Sequence, residues 1–361
     1  MGISRRRFLQ ASAAALSSVA LANCRPTLTD PKGGNGSTPG KLHIYTWADY
    51  TDDELTKLFT EKTGIEVIVD IYDSNEQMLA KILAGGGDAY SLIYPSDYMV
   101  NQMIDMDLLS QLDKSQLVGT DQLLEKWQNP LYDPENTHSI PFSWGTTGLL
   151  YNSAKLKKAP KDWGYLWEEQ KSLAKRITLL EDVRETMGAV LRSLDYSYNS
   201  TNPTEIEAAY KKLVELKPAI ASFKSFGWQD QLLGGDLLLV MSYSTDAISV
   251  TRENADFEYV IPASGSSVWT DTLVIPKSAP NPEAAYAWIN FILEPEISAQ
   301  AVERLFFATP NSAAFDLLPK PLQENDDLFP PPEVLAKCEG IAPLGAATDV
   351  YDRYWTELTS A

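Results

Sequence analysis

From residue 42 to residue 98 the chain alternates short apolar runs with capped helical periods, and that alternation constrains the fold more than any other feature. Residues 42–46 read as a strand that ends in Trp47-Ala48-Asp49-Tyr50. Thr51-Asp52-Asp53-Glu54 has capping-box spacing, Leu55, Leu58 and Phe59 follow at helical intervals, and Gly64 is a natural stop. A β-branched run over 65–71 predicts a second strand. Ser74 with Gln77 caps a helix whose apolar face is Met78, Leu79, Ile82 and Leu83. Gly85-Gly86-Gly87 ends that helix, and a third strand over 90–94 runs into Pro95-Ser96-Asp97-Tyr98. Strands separated by helices predict an α/β lobe with a largely parallel sheet. Ligands of such sheets sit beyond the carboxyl ends of the strands, where Trp47 to Tyr50 and Ser96 to Tyr98 fall.

A second series follows. Residues 177–180 form a strand entering Glu181-Asp182-Val183-Arg184-Glu185, and Thr204 with Glu207 is expected to cap a helix through Lys217. Residues 237–242 read as a strand ending at Tyr243, residues 269–275 as another, and Pro282–Leu293 as a helix capped by Asn281. A length of 361 residues accommodates two such lobes.

The N-terminus reads as an address. Residues 1–23 form an export signal, Ser4-Arg5-Arg6-Arg7-Phe8-Leu9-Gln10 resembling the twin-arginine pattern. The apolar stretch 11–22 is shorter than the ~20 residues that a bilayer span needs. Leu21-Ala22-Asn23-Cys24 looks like a lipobox, with Asn23 where a small residue is usual, so either Cys24 carries a lipid or cleavage falls nearby. Residues 24–40, rich in Gly, Pro, Ser and Thr, are a flexible tether. This places the protein in the periplasm. Its formal charge of −19 becomes more negative once the signal's three arginines are lost, which argues against nucleic acid and for cationic partners.

The motifs of catalysis are missing. There is no phosphate-cradling Gly-x-x-x-x-Gly-Lys loop and no Gly-x-Ser-x-Gly elbow, and the glycine triplet follows a helix where a dinucleotide fingerprint would follow a strand. Two cysteines and two histidines leave little for a disulfide framework or a metal. No catalytic residue, metal or cofactor is expected.

What remains is a series of aromatics beside carboxylates at element ends: Trp47 with Asp49 and Tyr50, Tyr98 after Asp97, Asp182 with Glu185, Tyr243 with Asp246, and Trp269 with Asp271. Trp269 and Asp271 are two apart in a strand and so face one side. Ring faces attract ammonium groups by ~0.5–2 kcal/mol each. A carboxylate ~4 Å from an ammonium gains ~4 kcal/mol before desolvation. Such a mixture suits an alkyl chain carrying several amines. A quaternary amine, or a cationic or zwitterionic amino acid, is the alternative ligand. An exported carbohydrate-active enzyme would need a carboxylate pair flanking a scissile bond.

Along nearly the whole chain from Leu42 onward, the sequence resembles the spermidine/putrescine-binding proteins of bacterial ABC transporters. The landmarks are Tyr45-Thr46-Trp47-Ala48-Asp49-Tyr50, Tyr72-Asp73-Ser74-Asn75-Glu76, Pro95-Ser96-Asp97-Tyr98, the stretch 180–185, Trp269-Thr270-Asp271 and Ala308-Thr309-Pro310-Asn311. The resemblance implies a type II-like periplasmic-binding-protein fold: lobe 1 from 41–146 and 270–315, lobe 2 from 147–269 and 316–361, a hinge of crossover strands, and a ligand cleft between them. It implies polyamine contacts at Trp47, Asp49, Tyr50, Ser96, Tyr98, Asp182, Glu185, Ser225, Tyr243, Asp246, Trp269 and Asp271, and delivery to permease subunits in the inner membrane. Three positions depart from the pattern: Tyr243 stands where a tryptophan is usual, Phe307 where a contacting tyrosine is usual, and Ile341 where spermidine binders have a glutamine.

Overall fold

The computed structural model describes residues 40–48 and 50–360. The expected export signal, Cys24, nearly all of the tether, and Asp49 lie outside the described residues.

The first series is strand β1 (Lys41–Trp47), helix α1 (Asp53–Thr63), β2 (Glu66–Tyr72), α2 (Asn75–Leu83), the short β3 (Leu92–Ile93) and α3 (Asp97–Asp105). Asp52 caps α1, not Thr51: its Oδ1 accepts from the Leu55 amide at 2.7 Å. A carboxylate satisfies orphan amides and also suits the positive helix end, which a hydroxyl does not. Gly64, at φ 74, ends the helix. Ser74 caps α2 as its spacing predicts, and the Gln77 side chain accepts in return from the Asp73 amide.

Next comes β4 (Ser139–Asn152), 14 residues that are all buried. After it follow β5 (Ile177–Leu179), α4 (Val183–Ser193), α5 (Pro203–Leu216), β6 (Ile220–Phe223), β7 (Leu239–Tyr243), α6 (Ser244–Glu253) and β8 (Phe257–Val260). The last part holds β9 (Ser267–Val274), α7 (Pro282–Leu293), α8 (Pro295–Leu305), β10 (Glu339–Gly340) and α9 (Thr348–Ser360). Asn202 caps α5, not Thr204, because Pro203 takes the first helical position, where no amide needs a partner.

The sheet runs β2-β1-β3-β9-β4-β7-β5-β6, with β10 on β9 and β8 on β4. Its two ends are parallel, as expected, but its middle is not: β3–β9, β9–β4 and β4–β7 are antiparallel. The reason is connectivity. β4 carries the chain out of the first lobe and β9 brings it back, so the two run in opposite directions. β4 changes partners along its length, residues 139–146 pairing with β9 and 147–151 with β7. Gly145 permits the crossing, since a Cβ there would collide with the Trp269 indole and the Ser244 hydroxyl.

Two main apolar clusters flank these strands. One gathers Leu42, Ile44, Phe59, Leu92, Leu273 and Trp288. The other gathers Leu149, Ile177, Met187, Leu213 and Leu239 with Tyr351 and Leu358 of α9. The C-terminal helix thus completes the second lobe, while the crossover strands leave a cleft between the two.

Candidate functional site

Strand ends build the cleft. Trp47 ends β1 and Ala48 and Tyr50 follow it, Asn75 follows β2, Ser96 and Tyr98 follow β3, Tyr243 ends β7 and Asp246 follows it, and Ile341 follows β10. Trp269 and Asp271 enter from β9, and Asp182 and Glu185 from the start of α4. Together they line an inner compartment of the cleft. An outer compartment shares Trp47, Asn75, Asp182, Phe226 and Tyr243 with it and adds Glu76, Lys224, Ser225, Asp352 and Trp355.

Asp271 is buried at one side. The Tyr50 phenol donates to its Oδ2, and the Ser96 hydroxyl donates to Oδ1 at 2.6 Å. Burial pushes its carboxyl up to about 6, while the hydrogen bonds from Ser96 and Tyr50 pull the other way. Asn75 braces this corner through its amide, which donates to Ser96 Oγ at 3.1 Å and to the Tyr98 hydroxyl at 3.0 Å. The Tyr98 hydroxyl in turn donates to Glu76 at 3.0 Å.

Asp182 and Glu185 form the opposite acid pair, and their spacing has a local cause. Asp182 is the N-cap of α4, its Oδ1 accepting from the Arg184 and Glu185 amides at 2.8 and 3.0 Å. The cap puts Glu185 in the first turn, facing the same cleft. Burial raises the Asp182 carboxyl above its ordinary value, opposed chiefly by the amide hydrogen bonds and the Arg184 charge. Burial, and then the nearby Asp182 charge, push Glu185 up to about 7. Glu185 is held from behind by the Tyr198 phenol at 2.6 Å and the Ser267 hydroxyl at 2.8 Å.

The walls between the acids are aromatic. Tyr243 meets Trp269 edge to face, centroids 5.9 Å apart, and Trp47 leans on Tyr72 at 4.5 Å. Carboxylates and π-faces converge, and the described lining of the inner compartment contains neither lysine nor arginine. Such a space is built for an extended cation.

Of the residues expected from the sequence, Trp47, Tyr50, Ser96, Tyr98, Asp182, Glu185, Tyr243, Asp246, Trp269 and Asp271 come together at the inner compartment. Ser225 lies in the outer one. Phe307 lines neither: it is buried behind Tyr50, ring centroids 5.8 Å apart. Sequence reasoning passed over Asn75, Glu76, Phe226 and Thr245. Asn75 and Glu76 were findable, since they follow β2 as Tyr50 follows β1. Phe226 and Thr245 carry no comparable signal.

The profile of the family described as bacterial extracellular solute-binding protein matches residues 54–330. The chain is 35% identical over 318 residues to the spermidine/putrescine-binding periplasmic protein of Salmonella typhimurium, covering 88% of this chain and 91% of that one. It is 32% identical over 337 residues to a putrescine-binding periplasmic protein of Pseudomonas aeruginosa, covering 88% and 92%. A spermidine/putrescine ABC transporter substrate-binding protein from Streptococcus pneumoniae superposes with a TM-score of 0.78 at 36% identity, over 89% of this chain and 99% of its own. The chain belongs to the bacterial extracellular solute-binding proteins.

Proposed function

We propose that this protein captures polyamines, spermidine or putrescine, in its cleft and hands them to the permease subunits of an ABC transporter, without catalysing a reaction. The observation that carries the reading is the inner lining: Asp182, Glu185, Asp246 and Asp271 set among Trp47, Tyr98, Tyr243 and Trp269, with no basic side chain among the described lining residues. Indole and phenol faces carry the methylene segments. Asp271 meets one ammonium and the Asp182–Glu185 pair another, with Asp49 and Asp246 as further acids and Ser225 at the outer edge. Relatives named for spermidine and putrescine support the same ligand class.

The assignment extends to the protein's surroundings. It works in the periplasm, as its relatives' names indicate for them. Residues 1–23 direct export, with Cys24 as the candidate acylation site. Lobe 1 takes 41–146 and 270–315, and lobe 2 takes 147–269 and 316–361. Ile341 lends an apolar surface to the compartment, so the inner subsites favour methylenes there over a polar contact.

Isothermal titration with spermidine, putrescine, spermine, choline and arginine tests the reading. At least one polyamine should bind more than tenfold tighter than choline or arginine. Binding of choline or arginine in preference to every polyamine would defeat it.

A further inference from the structure

Glu185 is only 1% exposed, yet it forms part of the cleft wall. What holds it differs in kind from what holds its neighbour. Asp182 is gripped chiefly by two backbone amides, which can only donate and so favour the ionised acid, with the Tyr243 hydroxyl besides. Glu185 is gripped by two hydroxyls, from Tyr198 and Ser267, which donate to its carboxylate and so favour the ionised form, though each can also accept from the protonated acid.

These hydroxyls are themselves locked. Tyr198 lies flat on α4 because Gly188 leaves room, a Cβ there colliding with the Tyr198 ring. The Tyr198 amide donates to Glu339 Oε1 at 3.1 Å, and Arg192 donates to the same oxygen at 3.2 Å. Glu339 sits on β10, directly opposite Ser267 of β9 in the ladder. Both hydroxyls are therefore fixed to one rigid strand pair that leads straight to Ile341 in the cleft. Tyr198 itself does not line the cleft.

We infer that Tyr198, supported by Ser267, is a positioning residue for the cation site: its hydroxyl aims the Glu185 carboxyl at the ligand and sustains its charged form against burial. The inference rests on the polyamine reading above. The titratable groups facing Glu185 are Asp182 at the start of α4, Tyr198, Tyr243 of β7, Tyr259 of β8 and Asp97 of α3. Thr147 of β4 and Ser267 of β9 add hydroxyls on their sides. The Arg184 guanidinium, the nearby positive charge, donates to Asn199 and to the Ala342 carbonyl at 2.9 and 2.8 Å and lies 5.8 Å from the Tyr98 ring centre. Burial and the neighbouring acid favour a proton on Glu185, the hydroxyls oppose it, and an entering ammonium displaces that proton.

The test is spermidine titration of the parent, Tyr198→Phe and Ser267→Ala at pH 6.5 and pH 8.5. Losing the phenol removes a donor to the charged form, so ionising Glu185 becomes harder. Tyr198→Phe should bind roughly tenfold more weakly at pH 6.5 and only about threefold more weakly at pH 8.5. Ser267→Ala should show the same trend and keeps the test alive if Tyr198→Phe does not fold. A loss equal at both pH values, or no loss, would make these residues merely structural and overturn the inference. If the parent binds no polyamine, the proposed function fails by itself. The hydroxyl–carboxyl coupling is then read from melting curves without ligand between pH 5.5 and 8.5. The gap between parent and Tyr198→Phe should widen as pH rises; parallel curves would overturn the inference there too.

Discussion

The Tyr50 phenol and the Asp271 carboxylate are hydrogen-bonded across 221 residues of chain, joining the end of β1 to the crossover strand β9. Ser96 occupies the other carboxylate oxygen. Three separate segments therefore converge on one buried acid, and the two hydroxyls fix its orientation. A fixed orientation lowers the ordering that binding would otherwise require.

Asp271→Asn should therefore weaken spermidine binding by roughly 30-fold or more, because an ammonium left without its buried partner typically costs ~2–5 kcal/mol. The melting temperature without ligand should change little, since the amide oxygen can accept from one of the two hydroxyls while the amide NH2 donates to the other. Calorimetric titration and scanning calorimetry on the same samples check both halves. A variant that melts early but binds normally would mark Asp271 as a structural acid.

Trp269→Leu should also weaken binding, but with a different signature. Ring stacking is not a full ionic contact, so the slope of affinity against salt should stay near the parent's. In Asp271→Asn that slope should flatten, because one screened charge pair is gone. Titrations at 50 and 300 mM salt distinguish the two, and equal slopes in both variants would contradict the assigned roles.

Gly145→Ala probes the crossing of β4 under the indole. The added methyl would overlap the Trp269 ring and the Ser244 hydroxyl, so the ring must move. Overpacking of this kind costs ~1–3 kcal/mol of stability. Spermidine affinity should fall together with the melting temperature, and a stable variant with parental affinity would show that the indole position is unimportant.

Acidity gives a fourth expectation. Asp271 and Glu185 rise from ordinary values of 3.8 and 4.5 to about 6 and about 7. Raised folded-state values mean that their stabilising protons are fully in place below about pH 4 and are lost as pH climbs through 6 and 7. The unliganded protein should therefore lose thermal stability across that window. A polycation binds the ionised acids, so spermidine should raise the melting temperature more at pH 8 than at pH 5.5. A ligand shift independent of pH would count against cation capture by these two carboxyls.

The cleft was more legible in the sequence than the strands that frame it. Trp47, Ser96, Tyr98, Trp269 and Asp271 announce themselves because strand ends and two-residue spacing fix where a side chain points. Helix starts were placed to within two residues, the error falling where neighbouring cappers compete, at Thr51 and Asp52 and at Asn202 and Thr204. β4 was illegible as a strand. Buried on both faces, it has no two-residue period, and Pro141, Gly145 and Gly148 read as breakers. Tyr198 was invisible for another reason: its role exists only once Gly188, Glu339 and Ser267 are brought around it by tertiary contacts.

The place of β9 between β3 and β4 has a consequence for how the protein is made. A ribosome delivers β1, β2, β3 and β4 long before β9, so the first lobe waits with a gap in its sheet until residue 274 has emerged. Meanwhile β3 and the first half of β4 present unpaired edges, the kind that invite association between nascent chains. Neither lobe can be completed one after the other as beads on a string. A chain interrupted before Ser267 would be a substrate for chaperones and proteases, and the last third of the gene decides whether the first third folds.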